Sequence, residues 1–254
     1  EQIPMHGNWA FVGIAGFTED IRPGALQAVR ELQTAGVQTV MVTGDEPEAA
    51  KVSAEEAGLL YGFDDVVLSA DEFNSMTDNE VRAIFPRLKV LARASSADKA
   101  RLLSIAKSLD TVVGATGATV EDIPNLLAAD VGFSLLGSKD SAKEASHIIL
   151  GEAGIGSAVK ALLYGRTAFN NVRKFIVFRL TLIFSAIAVS LVIPALGRDV
   201  PLTVIQLIWA GFIANILGEF MFMKEVPMKK YLREKPKSRR QRIVSPAMRM
   251  GIIT

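Results

Sequence analysis

The stretch from Thr111 to Leu135 reads TVVGATGATVEDIPNLLAADVGFSL and decides the fold class. Its β-branched run at Thr111–Val113 predicts a strand, and the glycines Gly114 and Gly117 predict a turn after that strand. Apolar residues at helical spacing follow, and Val131–Leu135 predicts a second strand. Strand, turn, helix and strand form the repeating unit of a parallel α/β sheet. Because open α/β sheets bind ligands at the carboxyl ends of their strands, we expect the turn to hold the functional site.

The same alternation of strands and helices continues on both sides of this stretch. Further strands are predicted at Trp9–Phe17, Val37–Val42 and Lys89–Ala94, and an edge strand is predicted at Ile148–Leu150. Helices are predicted at Arg22–Leu32 with Gly36 as the stop, from Glu46 onward, at Ser95–Leu109 and at Ser138–Ala145. Asp64–Phe85 is weakly patterned and is expected to hold a short strand and a short helix. The predicted fold class is α/β, with a parallel Rossmann-like sheet flanked by helices.

The net charge of +1 hides an asymmetry between two parts of the chain. Residues 1–165 carry 13 Lys and Arg against 23 Asp and Glu, whereas residues 166–254 carry 15 against 4. An acidic part followed by a basic, apolar part indicates a cytosolic domain joined to membrane segments. The basic charges flank apolar helices without a stacking platform, so we expect no nucleic acid as a partner. The chain has no cysteine, which excludes disulfides and thiolate metal sites.

Two apolar runs predict a transmembrane helical hairpin. Phe175–Gly197 contains one charged residue, Arg179, and would span about 35 Å as a helix. Pro201–Gly218 is free of charge, and a pair of helices buried in a soluble bundle would show more polar patterning. Basic residues at both outer ends predict a multi-pass membrane protein with both ends in the cytoplasm. The tail Lys235–Arg242 is interpreted as a solvated loop, with binding to anionic headgroups as the alternative.

A possible phosphate-binding motif, MVTGD, ends the strand predicted before the helix at Glu46. At the end of a buried strand, the Thr43 hydroxyl and free backbone amides can hold phosphoryl oxygens. The alternative is that Thr43 or Asp45 merely caps the helix that follows.

Several motifs, in the same order along the chain, resemble those of one family. TGATVED at Thr116–Asp122 and ADVG at Ala129–Gly132 are similar to T-G-D-G-x-N-D and A-D-V-G of P-type cation-transporting ATPases. MVTGD at Met41–Asp45 and RASSADK at Arg93–Lys99 resemble M-x-T-G-D and A-R-x-x-P-x-x-K, and NVRKFI at Asn171–Ile176 resembles the start of the fifth membrane helix. The chain thus resembles the C-terminal part of a calcium-pump-like member, namely the haloacid dehalogenase-like phosphorylation domain with membrane helices five and six.

The resemblance implies a division of the chain, a set of site residues and a set of partners. It implies a phosphorylation domain at 1–157, a stalk helix at 158–174, a transmembrane hairpin at 175–223 and, at 224–254, a basic cytoplasmic loop with the start of a further membrane segment. The implied catalytic residues are Thr43, Gly44 and Lys99, and the implied cofactor-binding residues are Asp45, Arg93, Thr116 and Gly117. The implied partners are the lipid bilayer and either the rest of the pump polypeptide or a partner membrane protein.

The expected phosphate site departs from the family pattern at three positions. Ala118 stands where the family has the Asp that holds Mg²⁺, Thr119 stands for a Gly and Glu121 for an Asn. A hard cation prefers carboxylate oxygens and gains nothing from a methyl group. Asp122 is therefore expected to be a weakened Mg²⁺ ligand, and Mg²⁺ an inherited cofactor whose binding is weak or lost.

The ion path implied by the resemblance is also depleted. Where the fifth helix of calcium pumps supplies an Asn and a Glu, this chain has Ile183 and Ala186. The acidic position of the sixth-helix motif holds Asn215. Carboxylates inside a membrane are costly and usually functional, so their replacement removes a cation site. Only Asn215, and Glu219 one turn further on, are expected to remain as residues of the ion path.

The inherited function implied by the family is ATP-driven cation transport through an aspartyl-phosphate. The 254 residues contain no D-K-T-G-T nucleophile motif and no nucleotide-binding domain, so ATP is expected to bind only together with that missing domain. The chain by itself is expected to be inactive. The alternative is a non-catalytic pseudo-pump that acts as a membrane binding or regulatory protein.

Overall fold

The computed structural model describes residues 21–151, 154–199, 203–223, 226–239 and 243. The strand predicted at Trp9–Phe17 lies outside the described residues. These residues include most of the α/β region and most of the two apolar runs.

Six parallel strands form two three-stranded sheets. The strands are β1 Met41–Val42, β2 Val66–Ser69, β3 Leu88–Ala92, β4 Gly114–Gly117, β5 Val131–Leu135 and β6 Ile148–Leu150. The first sheet has the order β1-β3-β2 and the second the order β4-β5-β6, with every pair parallel. The parallel α/β class is thus confirmed, and β6 is an edge strand as predicted. Among the described strands, the pairing forms two groups of three.

Helices alternate with the strands and then replace them. The helices are α1 Ala25–Thr34, α2 Pro47–Glu56, α3 Ala70–Ser75, α4 Asp78–Ile84, α5 Ser96–Ser108, α6 Ile123–Ala128, α7 Asp140–Ala145, α8 Ile155–Ala195 and α9 Val204–Met223. Short 3₁₀ helices lie at Phe85–Arg87, Val120–Asp122 and Lys229–Arg233. The predicted helices are found with ends shifted by a few residues, because patterning sets a helix more firmly than its ends.

β3 is the centre of the larger core. Val90 and Ala92 pack against α1 and α2, whereas Leu91 packs against Phe73 and the α5 residue Ile105. All five residues of β3 are buried. Burial on both faces explains why this strand reads as an almost continuous apolar run rather than as an alternating one.

The strand predicted at Thr111–Val113 is wrong in position, because the observed strand, β4, begins one residue after it and covers Gly114–Gly117. The two glycines permit close packing within this strand instead of forming the predicted turn. A β-carbon on Gly114 would lie 3.0 Å from the Phe133 ring, and one on Gly117 would lie 2.5 Å from the β-carbon of Asp122. A glycine inside a strand pattern can therefore signal close approach of a neighbouring element.

Two further segments correct the sequence prediction. The strand predicted at Val37–Val42 is paired only at Met41–Val42. Asp64–Phe85 holds β2, α3 and α4 instead of one strand and one helix. Both helices begin with a capping box, in which Ser69 pairs with Glu72 and Thr77 with Glu80. The spacing of a hydroxyl residue and a glutamate three positions later is the signal that could have located these helices.

The predicted stalk and the first apolar run form one continuous helix. α8 has 41 residues, about 60 Å of helix, and α9 has 20. Both are long and apolar enough to cross a membrane by length and composition. They pack against each other where Gly218 lies under the Phe178 ring and where Phe222 meets Phe175 and Phe178 edge to face. A small residue at this crossing lets the two helices approach closely.

Gly218→Ala is expected to loosen the α8–α9 hairpin. The added β-carbon would lie 2.5 Å from a ring carbon of Phe178, so the ring or the helix must move. The measurement is the efficiency of disulfide crosslinking between cysteines introduced on α8 and α9, and we expect it to fall. Gly211→Ala is the matched control, since a β-carbon there meets nothing within 4 Å. Equal crosslinking in both variants would contradict the packing.

A second prediction concerns Asn125 of α6, which is 4% exposed and whose side-chain amide has no hydrogen-bond partner among the described residues. Burying an unpaired amide costs about 1–3 kcal/mol, so Asn125→Leu is expected to raise the free energy of unfolding by a similar amount. Chemical denaturation of the detergent-solubilised chain measures this. Asn170→Leu should do the opposite, because Asn170 bonds to Glu234 and Lys237. A destabilised Asn125→Leu variant would argue that the amide has a partner.

Candidate functional site

The loop after β1 carries the predicted residues Thr43, Gly44 and Asp45. The Thr43 hydroxyl donates to the Asp45 carboxylate at 2.6 Å, and the Asp45 amide donates to the Thr43 hydroxyl oxygen at 3.2 Å. The residue at the N-cap of α2 is Glu46, whose side chain makes no capping hydrogen bond. Thr43 and Asp45 thus form hydrogen bonds to each other, and neither residue caps α2.

The loop after β3 is joined to this first loop. The amides of Arg93 and Ala94 donate to the carbonyls of Asp45 and Thr43, at 2.9 and 2.8 Å. Arg93 has a positive φ of 52°, an unusual backbone conformation for a residue with a side chain. Its guanidinium donates to the Glu46 carboxylate at 2.7 Å, which raises the pKa of Arg93. Arg93 therefore holds two loops together, with its side chain paired to Glu46.

Lys99 and Asp122 form an ion pair between two helical segments. α5 begins after Ser95, which makes a capping box with Asp98, and Lys99 follows in the first turn. Its ammonium lies 2.9 Å from one oxygen of the Asp122 carboxylate. The pair therefore ties the start of α5 to the turn after β4. The structure brings these two predicted residues together.

The second carboxylate oxygen of Asp122 is also fully engaged. It accepts hydrogen bonds from the amides of Ala118 and Thr119, at 3.0 and 3.2 Å, and from the Thr119 hydroxyl at 3.0 Å. The carboxylate can approach because Gly117 has no β-carbon to obstruct it. Thr119, which was noted only as a departure from the family pattern, thus supplies a donor that the sequence analysis missed. Its position three residues before an acidic residue is a capping signal.

These contacts set the ionisation of Asp122. Burial would raise its pKa, but the hydrogen bonds from Lys99, Ala118 and Thr119 outweigh burial and lower the pKa below its usual value. Asp122 is thus a carboxylate at neutral pH. Its charge is neutralised within the protein by Lys99.

The donor set at this edge does not fit a magnesium ion by itself. Mg²⁺ needs oxygen ligands in octahedral geometry, and Ala118 presents a methyl group. Asp122 is the buried carboxylate of this turn, and both of its oxygens already have protein partners. The described residues include no group of three or more His, Cys, Asp or Glu that could hold a metal. Thr116, the remaining predicted residue of β4, is exposed.

The two residues predicted for the ion path lie one turn apart on α9. Asn215 is half-buried and Glu219 is exposed, and neither side chain bonds to another described residue. On α8, Ile183 is 48% exposed. The hairpin therefore leaves Glu219 and Ile183 on its outside, where they would face lipid or further helices, whereas Asn215 is partly covered.

The charged network around Asp122 generates a pH prediction. The pKa of Asp122 is lower in the folded protein than in the unfolded chain, so its ionised form stabilises the fold. This stabilisation is fully present above the ordinary aspartate pKa of about 3.9, and it is lost as the pH falls through the pKa of the folded state. Asp122→Asn is therefore expected to lower stability at neutral pH and to flatten its decline in acid. Thermal unfolding followed by circular dichroism, from neutral pH to about one unit below the ordinary aspartate pKa of about 3.9, measures both effects.

The control for this prediction is Asp140→Asn. The Asp140 side chain is 93% exposed and pairs only with Lys143 within the described residues, so little change is expected. If Asp122→Asn retained the pH profile of the original chain, the lowered pKa of Asp122 would be wrong.

Comparison with known proteins identifies the fold and the family of the chain. A family model for haloacid dehalogenase-like hydrolases matches residues 7–129. Two crystal structures of a zinc-transporting PIB-type ATPase, in two different states, superpose with TM-scores of 0.55 and 0.59 at 20% identity. They cover 85% and 80% of this chain, and the chain covers 28% of each of them. At that identity the likeness shows the fold.

Sequence relatives are calcium-transporting ATPases of plasma-membrane type. Calcium-transporting ATPase 3 of Oryza sativa subsp. japonica is 31% identical over 255 residues, which is 100% of this chain and 24% of that protein. Plasma membrane calcium-transporting ATPase 1 of Homo sapiens is 33% identical over 257 residues, which is 95% of this chain and 21% of that protein. The chain spans under a quarter of the length of these relatives. It belongs to the P-type ATPase family, in which it matches the haloacid dehalogenase-like phosphorylation domain and the two long apolar helices that follow.

Proposed function

We propose that this chain is the phosphate-site and membrane-hairpin part of an ATP-driven cation pump whose magnesium site is altered. The observation that carries the proposal is the Lys99–Asp122 pair, which lies at the carboxyl edge of β4 beside Ala118. The names of the relatives make calcium the proposed cargo. The phosphate chemistry of the family would be retained, and the missing carboxylate at Ala118 would weaken the binding of Mg²⁺.

Each predicted site residue has a role in this proposal. Lys99 brings a fixed positive charge toward a phosphorylated group, and Asp122 orients Lys99. The Thr43 hydroxyl and the Gly44 backbone would contact phosphoryl oxygens, with Asp45 holding the hydroxyl in place. Thr116 and Gly117 end the strand beside the same site, and Arg93 fixes the loop that carries Thr43.

The strand pattern supports a site completed by another part of a longer polypeptide. β1 and β4 each pair with a single described strand, so one edge of each is open to a further strand. Thr43 follows β1, and Ala118 follows β4. A parallel strand on either edge would end beside these residues and could present the aspartate nucleophile that covalent phosphoryl transfer requires.

The second candidate is a non-catalytic pseudo-pump. Ala118 favours it, because the methyl group removes a metal ligand while Asp122 is satisfied by protein donors alone. Apolar Ile183 on α8 favours it as well. In this alternative, the α/β domain and the hairpin serve as a binding or regulatory module in the membrane, with both ends of the chain in the cytoplasm.

Ala118→Asp separates the two candidates. We expect the full-length polypeptide to form an acid-stable phosphoenzyme from ATP, and the variant to need at least about tenfold less Mg²⁺, because it regains a carboxylate ligand. Ala118→Asn is the matched control, similar in shape but uncharged, and should not lower the requirement. The measurement is phosphoenzyme formed against Mg²⁺ concentration.

Release of inorganic phosphate from ATP tests the chain alone. The 254-residue chain is expected to release no phosphate above a Lys99→Ala variant, because it has no D-K-T-G-T motif. Absence of phosphoenzyme from both the full-length protein and its Ala118→Asp variant would reject the pump and favour the pseudo-pump.

A further inference from the structure

The segment after α9 folds back and is clamped onto α8. The Arg166 guanidinium donates to the carbonyls of Tyr231, Leu232 and Glu234 at 3.1, 2.7 and 2.8 Å, and to the carbonyl of Ala35 at the end of α1 at 2.7 Å. One side chain thus joins the returning segment, α8 and the end of α1. Several carbonyl acceptors on one guanidinium fix the path of the backbone.

The 3₁₀ helix Lys229–Arg233 in this segment has two unlike faces. Tyr231 is 4% exposed, and Leu232 packs against the cluster of α1 and α8 residues. Lys229, Lys230 and Arg233 are exposed, and no described carboxylate pairs with them. The neighbouring Glu234 is turned toward α8, where it accepts a hydrogen bond from Asn170, and it also pairs with Lys237 of its own segment. The inward face is therefore an anchor, and the outward face is a cationic surface formed by Lys229, Lys230 and Arg233.

This cationic surface lies beside the start of the apolar part of α8. The Tyr231 hydroxyl accepts from Lys174, the residue before Phe175, where the apolar run begins. The Lys230 ammonium lies 5.3 Å from the ring of the same tyrosine. Arg166 is eight residues before Lys174, or about 12 Å along the helix, so the whole 3₁₀ helix is held close to the start of the apolar run. If the hairpin crosses a bilayer, these three charges lie next to its headgroups.

We propose that Lys229, Lys230 and Arg233 form a docking surface for the headgroups of anionic lipids in the adjacent leaflet. The inference rests on the proposed insertion of the hairpin and adds a lipid class and a site to it. Basic residues next to a membrane helix are attracted by the negative surface potential, and each contributes separately. Because Arg166 has already ordered the backbone, binding costs little further entropy. The lipid in turn tightens the clamp between the hairpin and α1.

The test is hydrogen exchange of the full-length protein in nanodiscs, with neutral phosphatidylcholine compared with a mixture containing phosphatidylserine. We expect exchange at residues 226–239 to slow by about tenfold in the anionic discs, as one or two surface-bound charges would produce. The slowing should disappear in a K229Q/K230Q/R233Q variant and weaken in high salt. Protection of the α9 amides in both kinds of disc reports insertion separately, so failed insertion is distinguishable from absent lipid binding.

The matched control removes three exposed charges from the α/β domain, as R30Q/K51Q/R87Q. It should keep the lipid-dependent slowing. A K229R/K230R variant, which keeps both charges, should also retain the lipid-dependent slowing of exchange. It shows whether substitution at these positions by itself disturbs the 3₁₀ helix. Equal exchange in neutral and anionic discs, or slowing that persists in the triple glutamine variant, would overturn the proposal. So would the same slowing by inorganic phosphate in neutral discs, since that identifies a phosphate site without lipid.

Discussion

The Asp122 carboxylate is the contact on which the arrangement of the candidate site depends. It joins Lys99 at the start of α5 to the amides of the turn after β4, so one side chain aligns a helix, a strand and the following 3₁₀ helix. Two partly buried charges are stable only when their hydrogen bonds are satisfied, and here both carboxylate oxygens are. Protein donors alone are consequently enough to hold this carboxylate in place.

A second organising contact, Arg166, lies at the other end of the α/β domain. It connects the end of α1, the long helix α8 and the segment that returns from α9, and each of these is a different layer of the molecule. Pro236 of the returning segment packs where Gly36 lacks a side chain, 2.7 Å from the position of a β-carbon. The domain and the hairpin are therefore joined by polar and steric contacts as well as by the continuous α8.

Apolar periodicity, which is a local property of the sequence, predicted the α/β class and the hairpin. The family resemblance, and not periodicity, implied that Lys99 and Asp122 belong to one site. The sequence pattern misplaced the strand at Thr111–Val113, since a glycine pattern cannot distinguish a turn from a strand crowded by Phe133 and Asp122. The role of Arg166 was beyond prediction from sequence. Its acceptors are backbone carbonyls up to 68 residues away along the chain on one side, and that of Ala35 on the other. Because every residue has a backbone carbonyl, the identity of the amino acid does not reveal which carbonyls will accept these hydrogen bonds.

The continuity of α8 has a mechanical consequence. A helix without an internal break in its 41 residues behaves as a stiff lever, with one end in the α/β domain and the other at the far end of the apolar run. A tilt of about 5° at the Ile155 end would displace the far end by roughly 5 Å over its length of about 60 Å. Because its only proline is Pro194, in the last turn, no interior hinge absorbs that tilt. Small rotations of the domain are thereby amplified into ångström-scale movements at the opposite side of the hairpin.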